Sequence, residues 1–304
     1  MAIKVLKKQL IQDDTFIQIF SLDEGDEYED ESVWKKCNPN LGISLKFDSI
    51  RGDVVKAKNN PTRLTNLLTK TFNVWTNAAK VWIKDEDYLK CIGEIDMSTR
   101  CKIYAGLDLS SVRDITALSL LIESDEKKLF NKVLCFMPED NIRDRSETEG
   151  VNYELWANQG YIIKTPGNVT DYNFIKSTIL NIAENHDLKV VGYDRWNSSQ
   201  LVIDLLAEGI VMKGFGQGFA SMSPPTKAFN YKILKQEITF EDNPVMRWML
   251  SNVAINRDAA GNEKADKEKS ANKIDGIVAS IIALGEYMNR EDEGSEDDYN
   301  IRAL

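Results

Sequence analysis

The sequence predicts an α/β fold in which a meander of buried strands is joined, through a helical crossover, to a parallel strand. Three observations predict it. Residues 102–107 (KIYAGL) and 189–193 (KVVGY) are short apolar runs rich in Ile, Val and Tyr, bounded by polar residues or glycine, as buried strands are. Two further apolar runs, residues 116–122 and 129–137, follow the first at turn-length spacing. Residues 170–185 place Phe174, Ile175, Ile179 and Ile182 at a helical period just ahead of the 189–193 run, and a helix between strands is a crossover that makes them parallel.

Taken in order, the first strand ends at Asp108 in IYAGLDLSS, and a polar turn over residues 109–114 leads into its hairpin partner. The crossover helix returns the chain to a strand that ends at Asp194 in VVGYDRWNS. If that strand pairs with the first, the two aspartates stand about 5 Å apart in the pairing direction. They then occupy the carboxyl edge where open α/β sheets bind ligands. Residues 253–256 alternate like a strand, residues 258–262 carry turn residues with Gly261, and a polar, lysine-rich arm returns, the pattern of a β-hairpin. The last element is a helix with a broad apolar face, from Ile274 through Ile277, Val278, Ile281 and Ile282 to Leu284, with Gly276 and Ala279 small enough for close approach to a sheet. Asp275, in ANKIDGIVAS, falls in its first turn, where the helix dipole favours a carboxylate.

Singly, each aspartate also reads as a turn, cap or dipole residue. Together they make a carboxylate cluster of the kind that holds hard divalent cations through oxygen. Asp114, at the end of the turn after Asp108, reads as a turn cap or as an auxiliary carboxylate, and Lys273 as a solvated helix-start lysine or a phosphate contact.

Composition bounds the alternatives. The 304 residues are 42% apolar, enough for a real core. No run approaches the ~20 apolar residues of a membrane span, and no signal-peptide pattern stands at the start. Cys37, Cys91, Cys101 and Cys135 are widely spaced, without a CxxC pair, so neither a zinc site nor a disulfide framework is expected. The single histidine, His186, ends the crossover helix and excludes chemistry built on histidine clusters. The net charge of −10 is concentrated: residues 23–31 hold seven carboxylates and residues 291–298 hold six, and taking both away leaves +3. A mildly basic body with two acidic appendages can still approach phosphates. Trp34, Trp75 and Trp82 read as packing anchors, since nothing basic is interleaved with them.

The strings GLDLSSVRDITAL, GYDRWNSSQLV, WKKCNPNLG and the long stretch from NPVMRWMLSN to KIDGIVASIIALG closely resemble the terminase large subunit of tailed bacteriophages, over nearly the whole chain and in order. The resemblance implies a ribonuclease H-like mixed sheet flanked by helices, preceded by a smaller, mainly helical linker region. It also implies a nuclease that cuts concatemeric double-stranded DNA with two divalent metal ions, Mg²⁺ or Mn²⁺, held by Asp108, Asp194 and Asp275, with Asp114 as an auxiliary carboxylate. Implied partners are DNA, the terminase ATPase domain or chain, the small terminase subunit and the portal, with action in the host cell cytoplasm. The expected division is residues 1–99 as linker region and remnant of the ATPase edge, 100–290 as nuclease, and 291–304 as a disordered acidic tail. Residues 15–22 (TFIQIFSL) alternate like a strand that in the family belongs to the ATPase sheet. No GxxxxGK[ST] P-loop occurs, so no ATP site is expected in this chain, and the isolated chain is expected to be monomeric. Arg257, Lys264, Lys267 and Lys269 put positive charge on the predicted hairpin next to Asp275, which reads either as an inert surface loop or as a place where they would meet DNA phosphates. The rival readings are a resolvase or transposase of the same fold and a mainly non-enzymatic docking part of the packaging motor. A haloacid dehalogenase-type phosphatase is disfavoured, because Ser110 stands where its DxD strand end needs an acid.

Overall fold

The computed structural model describes residues 16–23, 25–58, 61–74, 82–109, 114–124, 126–194 and 199–290. Trp75, the turn that contains Ser110, and the acidic tail therefore lie outside the described residues. The chain divides into two compact units, Met1–Lys80 and Val81–Leu304.

The first unit is helical. Helices α1 (Trp34–Cys37), α2 (Phe47–Ala57) and α3 (Pro61–Lys70) enclose a small core of Trp34, Leu41, Ile50, Leu67 and Phe72. Trp34 is a packing anchor, as read from the sequence: its indole N–H donates to the Tyr28 carbonyl at 2.8 Å and its ring stacks on Phe47. The strand expected over residues 15–22 is not formed among its described residues. Alternation needs a neighbouring strand to become a ladder. Residues 16–22 make isolated hydrogen bonds, Leu22 N–H to Phe72 O and Ser21 Oγ to Asn73 O; Leu22 packs against the Trp34 core, and Phe16, Ile19 and Phe20 stay exposed.

The second unit opens with α4 (Asp85–Leu89), so residues 82–99 pack within it, Trp82 stacking on Phe229. Its meander is β1 (Lys102–Asp108), β2 (Thr116–Glu123) and β3 (Leu129–Pro138). Helices α5 (Ile142–Glu149) and α6 (Tyr153–Asn158) lead to β4 (Ile162–Thr165). The crossover helix α7 (Tyr172–Asn185) starts where the Asp171 carboxylate accepts from the backbone N–H groups of Asn173 and Phe174, and feeds β5 (Asp187–Asp194). Then come α8 (Ser199–Ala207), β6 (Met212–Phe215), α9 (Phe219–Leu234), β7 (Ile238–Phe240) and α10 (Pro244–Asn252). The hairpin β8 (Ile255–Arg257) and β9 (Glu263–Ala265) precedes α11 (Asp275–Met288).

Seven strands form one mixed sheet in the order β4-β3-β2-β1-β5-β6, with β7 also paired to β3. β5 is parallel, as the crossover implied, and its neighbour is β1, Leu107 opposite Tyr193, so both strands end side by side at their aspartates. One face is covered by α7, whose Ile175, Ile179 and Ile182 meet Ile103, Leu107 and Leu118. The other is covered by α11, buried from Asp275 to Glu286, beyond the broad apolar face read from the sequence.

Glycine in the strands lets that helix come close. A Cβ on Gly106 would lie 2.1 Å from the Ala279 carbonyl oxygen and 2.6 Å from the Ala283 nitrogen, and one on Gly192 would meet Glu286 and Ile282 side-chain carbons at 2.7 and 2.8 Å. Gly276, read from the sequence as a sheet contact, chiefly makes room for the sulfurs of Met246 and Met249 on α10, with Val133 of β3 farther off. A buried polar group sits between α11 and the sheet: Ser280 Oγ lies 2.8 Å from the Gly276 carbonyl and 3.0 Å from Asn131 Oδ1, its single proton shared between these acceptors, and Asn131 Nδ2 donates to Ser119 Oγ at 2.8 Å.

Gly106→Ala is expected to destabilise the protein by about 3 kcal/mol or more, since the clash is with helix backbone. Gly192→Ala, which meets side chains that can turn aside, should cost less. Urea unfolding of the two variants gives the ranking, and a Gly106→Ala protein as stable as wild type would refute the close packing.

Candidate active site

Because side chains alternate along a strand, the residues two beyond Gly106 and Gly192 point to the face covered by α11. These are Asp108 and Asp194. The helix passes over the glycines and begins at Asp275, so its first turn meets the strand ends and places the Asp275 carboxylate against Asp108. Both are buried, their side chains 4% and 12% exposed.

The charge they share is met from within the chain. Lys267 Nζ lies 2.6 Å from Asp108 Oδ2 and 2.8 Å from Asp275 Oδ1. Asp275 Oδ2 is buried without a hydrogen-bond partner, and the Lys267 contact to Asp108 Oδ2 has the geometry of an ion pair rather than of a hydrogen bond. Burial pushes the Asp108 carboxyl up to about 7. Lys267 pulls against that rise, while the neighbouring Asp275 and Asp194 carboxylates add to it. Burial works against the Lys267 charge, yet Asp108 and Asp275 hold its ammonium above the ordinary lysine value.

These features fit a cation-binding site. The donors are carboxylate oxygens, the ligands hard divalent ions take. One oxygen is left unsatisfied, and an ammonium already stands between the two carboxylates. As the side chains are arranged, no three acid, histidine or cysteine groups among the described residues converge on one point, and Lys267 lies between two of the acids.

Asp114 belongs to a second, adjoining set of charges. Lys273 Nζ and Arg145 Nη1 both pair with it, the latter at 3.0 Å. Arg145 Nε also donates to Glu149 Oε1 at 2.8 Å, and the Tyr153 hydroxyl to Glu149 Oε2 at 2.8 Å. The chain of contacts from Lys273 to Tyr153 ties α5 and α6 to the loop after β1 and to the residues just ahead of α11. Sequence reasoning missed Arg145, Glu149 and Tyr153. Only the i,i+4 spacing of Arg145 and Glu149 was visible.

The expected hairpin is present, with Asn256 opposite Lys264 and Gly261 at φ 78° in its turn. Arg257 pairs with Glu263 at 2.8 Å. Lys264 donates to the Gln217 carbonyl and lies over the Phe219 ring, and Lys269 donates to Asn256 Oδ1 at 3.0 Å. Of the four basic residues read as DNA contacts, Lys267 is the one drawn into the carboxylates.

The fold is a mixed α/β sheet flanked by helices, with an acid at each of two adjacent parallel strand ends and a third in the first turn of the covering helix. Residues 10–291 match the family model described as "Terminase large subunit, endonuclease domain", and the chain belongs to that family. Its sheet and flanking helices are the ribonuclease H-like arrangement the sequence implied. The chain is 30% identical to the terminase large subunit of Enterobacteria phage HK97 over 275 residues, 89% of this chain and 54% of that protein. It is 28% identical to protein YmfN of Escherichia coli K12 over 326 aligned positions, 99% of this chain and 70% of that protein. The crystal structure of the HK97 large terminase superposes with a TM-score of 0.62 at 27% identity, covering 94% of this chain and 59% of that one. The chain thus spans little more than half the length of the HK97 protein.

Arg145→Ala should cost about 1–3 kcal/mol, because it leaves Glu149 and Asp114 short of a partner in a largely buried setting. Arg143→Ala, which removes only an exposed pair with Glu147, should cost under about 0.5 kcal/mol. Equal losses in denaturant unfolding would show that the Arg145 network contributes nothing beyond surface charge.

Proposed function

We propose that the Val81–Leu304 unit is a metal-dependent endonuclease that cuts concatemeric double-stranded DNA during phage packaging. The observation that carries this reading is the buried Asp108–Asp275 pair at the carboxyl edge of the sheet, bridged by an ammonium, with one oxygen unsatisfied and Asp194 on the adjacent strand end. Membership of a terminase endonuclease family supports it.

Two divalent ions, Mg²⁺ or Mn²⁺, would supply an activated water and stabilise the leaving 3′ oxygen of a phosphodiester. Asp108, central and most buried, would serve both ions, and Asp194 and Asp275 one each. Asp114, held by Lys273 and Arg145, would serve as an auxiliary carboxylate beside the site. Arg257 and Lys269, exposed on and beside the hairpin, would meet phosphates, as would Lys264 if it leaves Gln217. In this reading the chain acts in the host cytoplasm with the ATPase part of the motor, the small subunit and the portal. Among the described residues no helix is long and apolar enough to cross a membrane.

Asp108→Asn, Asp194→Asn and Asp275→Asn should each abolish nicking and linearisation of supercoiled plasmid in Mn²⁺, a loss of at least ~10³-fold. Each variant should stay folded, because Lys267 keeps at least one of its two carboxylate partners and the repulsion among the acids falls. Wild-type cutting by any of the three would overturn the assignment of that residue, and a wild-type protein that leaves plasmid intact in Mn²⁺ would overturn the nuclease reading.

A further inference from the structure

Lys267 is held in place by a built turn. Its neighbour Asp266 is buried; Asp266 Oδ1 accepts from the backbone N–H groups of Glu268 at 3.0 Å and Lys269 at 3.2 Å. The Asp266 N–H donates to Ala254 O at 2.9 Å, and the Asp266 carbonyl accepts from the Ser270 hydroxyl at 2.6 Å. Ser270 Oγ in turn accepts from the Ala254 N–H at 3.1 Å. Two residues beyond the hairpin, the backbone is thus pinned so that Lys267 reaches inward to Asp108 and Asp275, while Lys269, on the same turn, lies 60% exposed against Asn256.

We propose that Lys267 is a resident cation of the carboxylate site, which it holds together in the metal-free protein and must vacate before a divalent ion can bind. The inference rests on reading that site as the nuclease centre. Two buried carboxylates cannot stay ionised side by side without positive charge, and the ammonium supplies it. A divalent ion takes carboxylate oxygens at 2.0–2.6 Å, the same oxygens that Lys267 contacts at 2.6 and 2.8 Å. Two cations that close repel strongly in a buried setting, so occupancy by one excludes the other. The exit is open: the Lys267 side chain is 47% exposed and a lysine stem has four flexible carbons. The metal affinity of this protein is therefore a difference between two cations competing for one set of oxygens, and the turn on Asp266 sets how strongly the lysine competes.

The test uses the full chain with MnCl2 as probe, by titration calorimetry at pH 8 and by thermal unfolding, on wild type, Lys267→Met and Lys267→Arg, with Asp108→Asn as control. Without metal, Lys267→Met should melt below wild type. It should nonetheless bind Mn²⁺ about tenfold more tightly, the factor for a site blocked nine-tenths of the time. Lys267→Arg, which keeps the charge, should stay near wild type in both. A wild type that shows no binding beside a Lys267→Met variant that binds would support the proposal in its strongest form. Wild-type binding that Asp108→Asn removes, with equal or weaker binding by Lys267→Met, would overturn the proposal and leave the nuclease site standing, since a merely structural lysine gives that pattern. No Mn²⁺ binding by either protein would overturn both.

Discussion

The distance between the last helix and the sheet governs the site, and two glycines set it. Gly106 and Gly192 sit opposite Ala279, Ile282 and Glu286, where any side chain would collide with the helix. Each is followed, two residues later and on the same face, by an aspartate at the end of its strand. Packing and chemistry are therefore coupled through the two-residue period of a strand. The position that must be empty for the helix to seat and the position that must carry charge are fixed by one strand geometry. Buried polar contacts among Ser280, Asn131 and Ser119 also lie between the helix and the sheet.

Electrostatics then shape what the packing has brought together. Acids buried side by side are costly unless a positive charge joins them, and this protein sets basic groups against its acids in two places. Lys267 is inserted between Asp108 and Asp275, and Lys273 with Arg145 flank Asp114. The two clusters differ in what they leave over. Within the second, ion pairs and hydrogen bonds run on from Asp114 through Arg145 and Glu149 to Tyr153, as in a structural network. The first keeps two buried oxygens, Asp108 Oδ2 and Asp275 Oδ2, without a hydrogen bond, which suits a site that receives something.

The fold and the three aspartates could be read from the sequence because their signals are local. Apolar runs of strand length and a helical period before the second run imply a parallel strand, with an aspartate at each strand end; that β5 pairs with β1 itself is what the structure adds. The meaning of Gly106 and Gly192 was not legible, since a glycine in a strand reveals a close neighbour only when the neighbour is known. Lys267 shows the same limit. Among lysines on a polar arm, sequence could not say which one the Asp266 turn would aim inward, and grouped it with the hairpin's outward charges. Residues 16–22 show the converse, an alternation with no partner strand among the described residues to turn it into a ladder.

The central claim is that α11, seated on the two glycines, completes a cation site between Asp108, Asp194 and Asp275. Its most direct measurement is anomalous diffraction at the manganese edge from crystals of the protein soaked in MnCl2. The account predicts an anomalous peak within coordination distance of Asp108 and Asp275, with the Lys267 ammonium moved away from both. Crystals that take up manganese elsewhere, with Lys267 still bridging the two carboxylates, would contradict it.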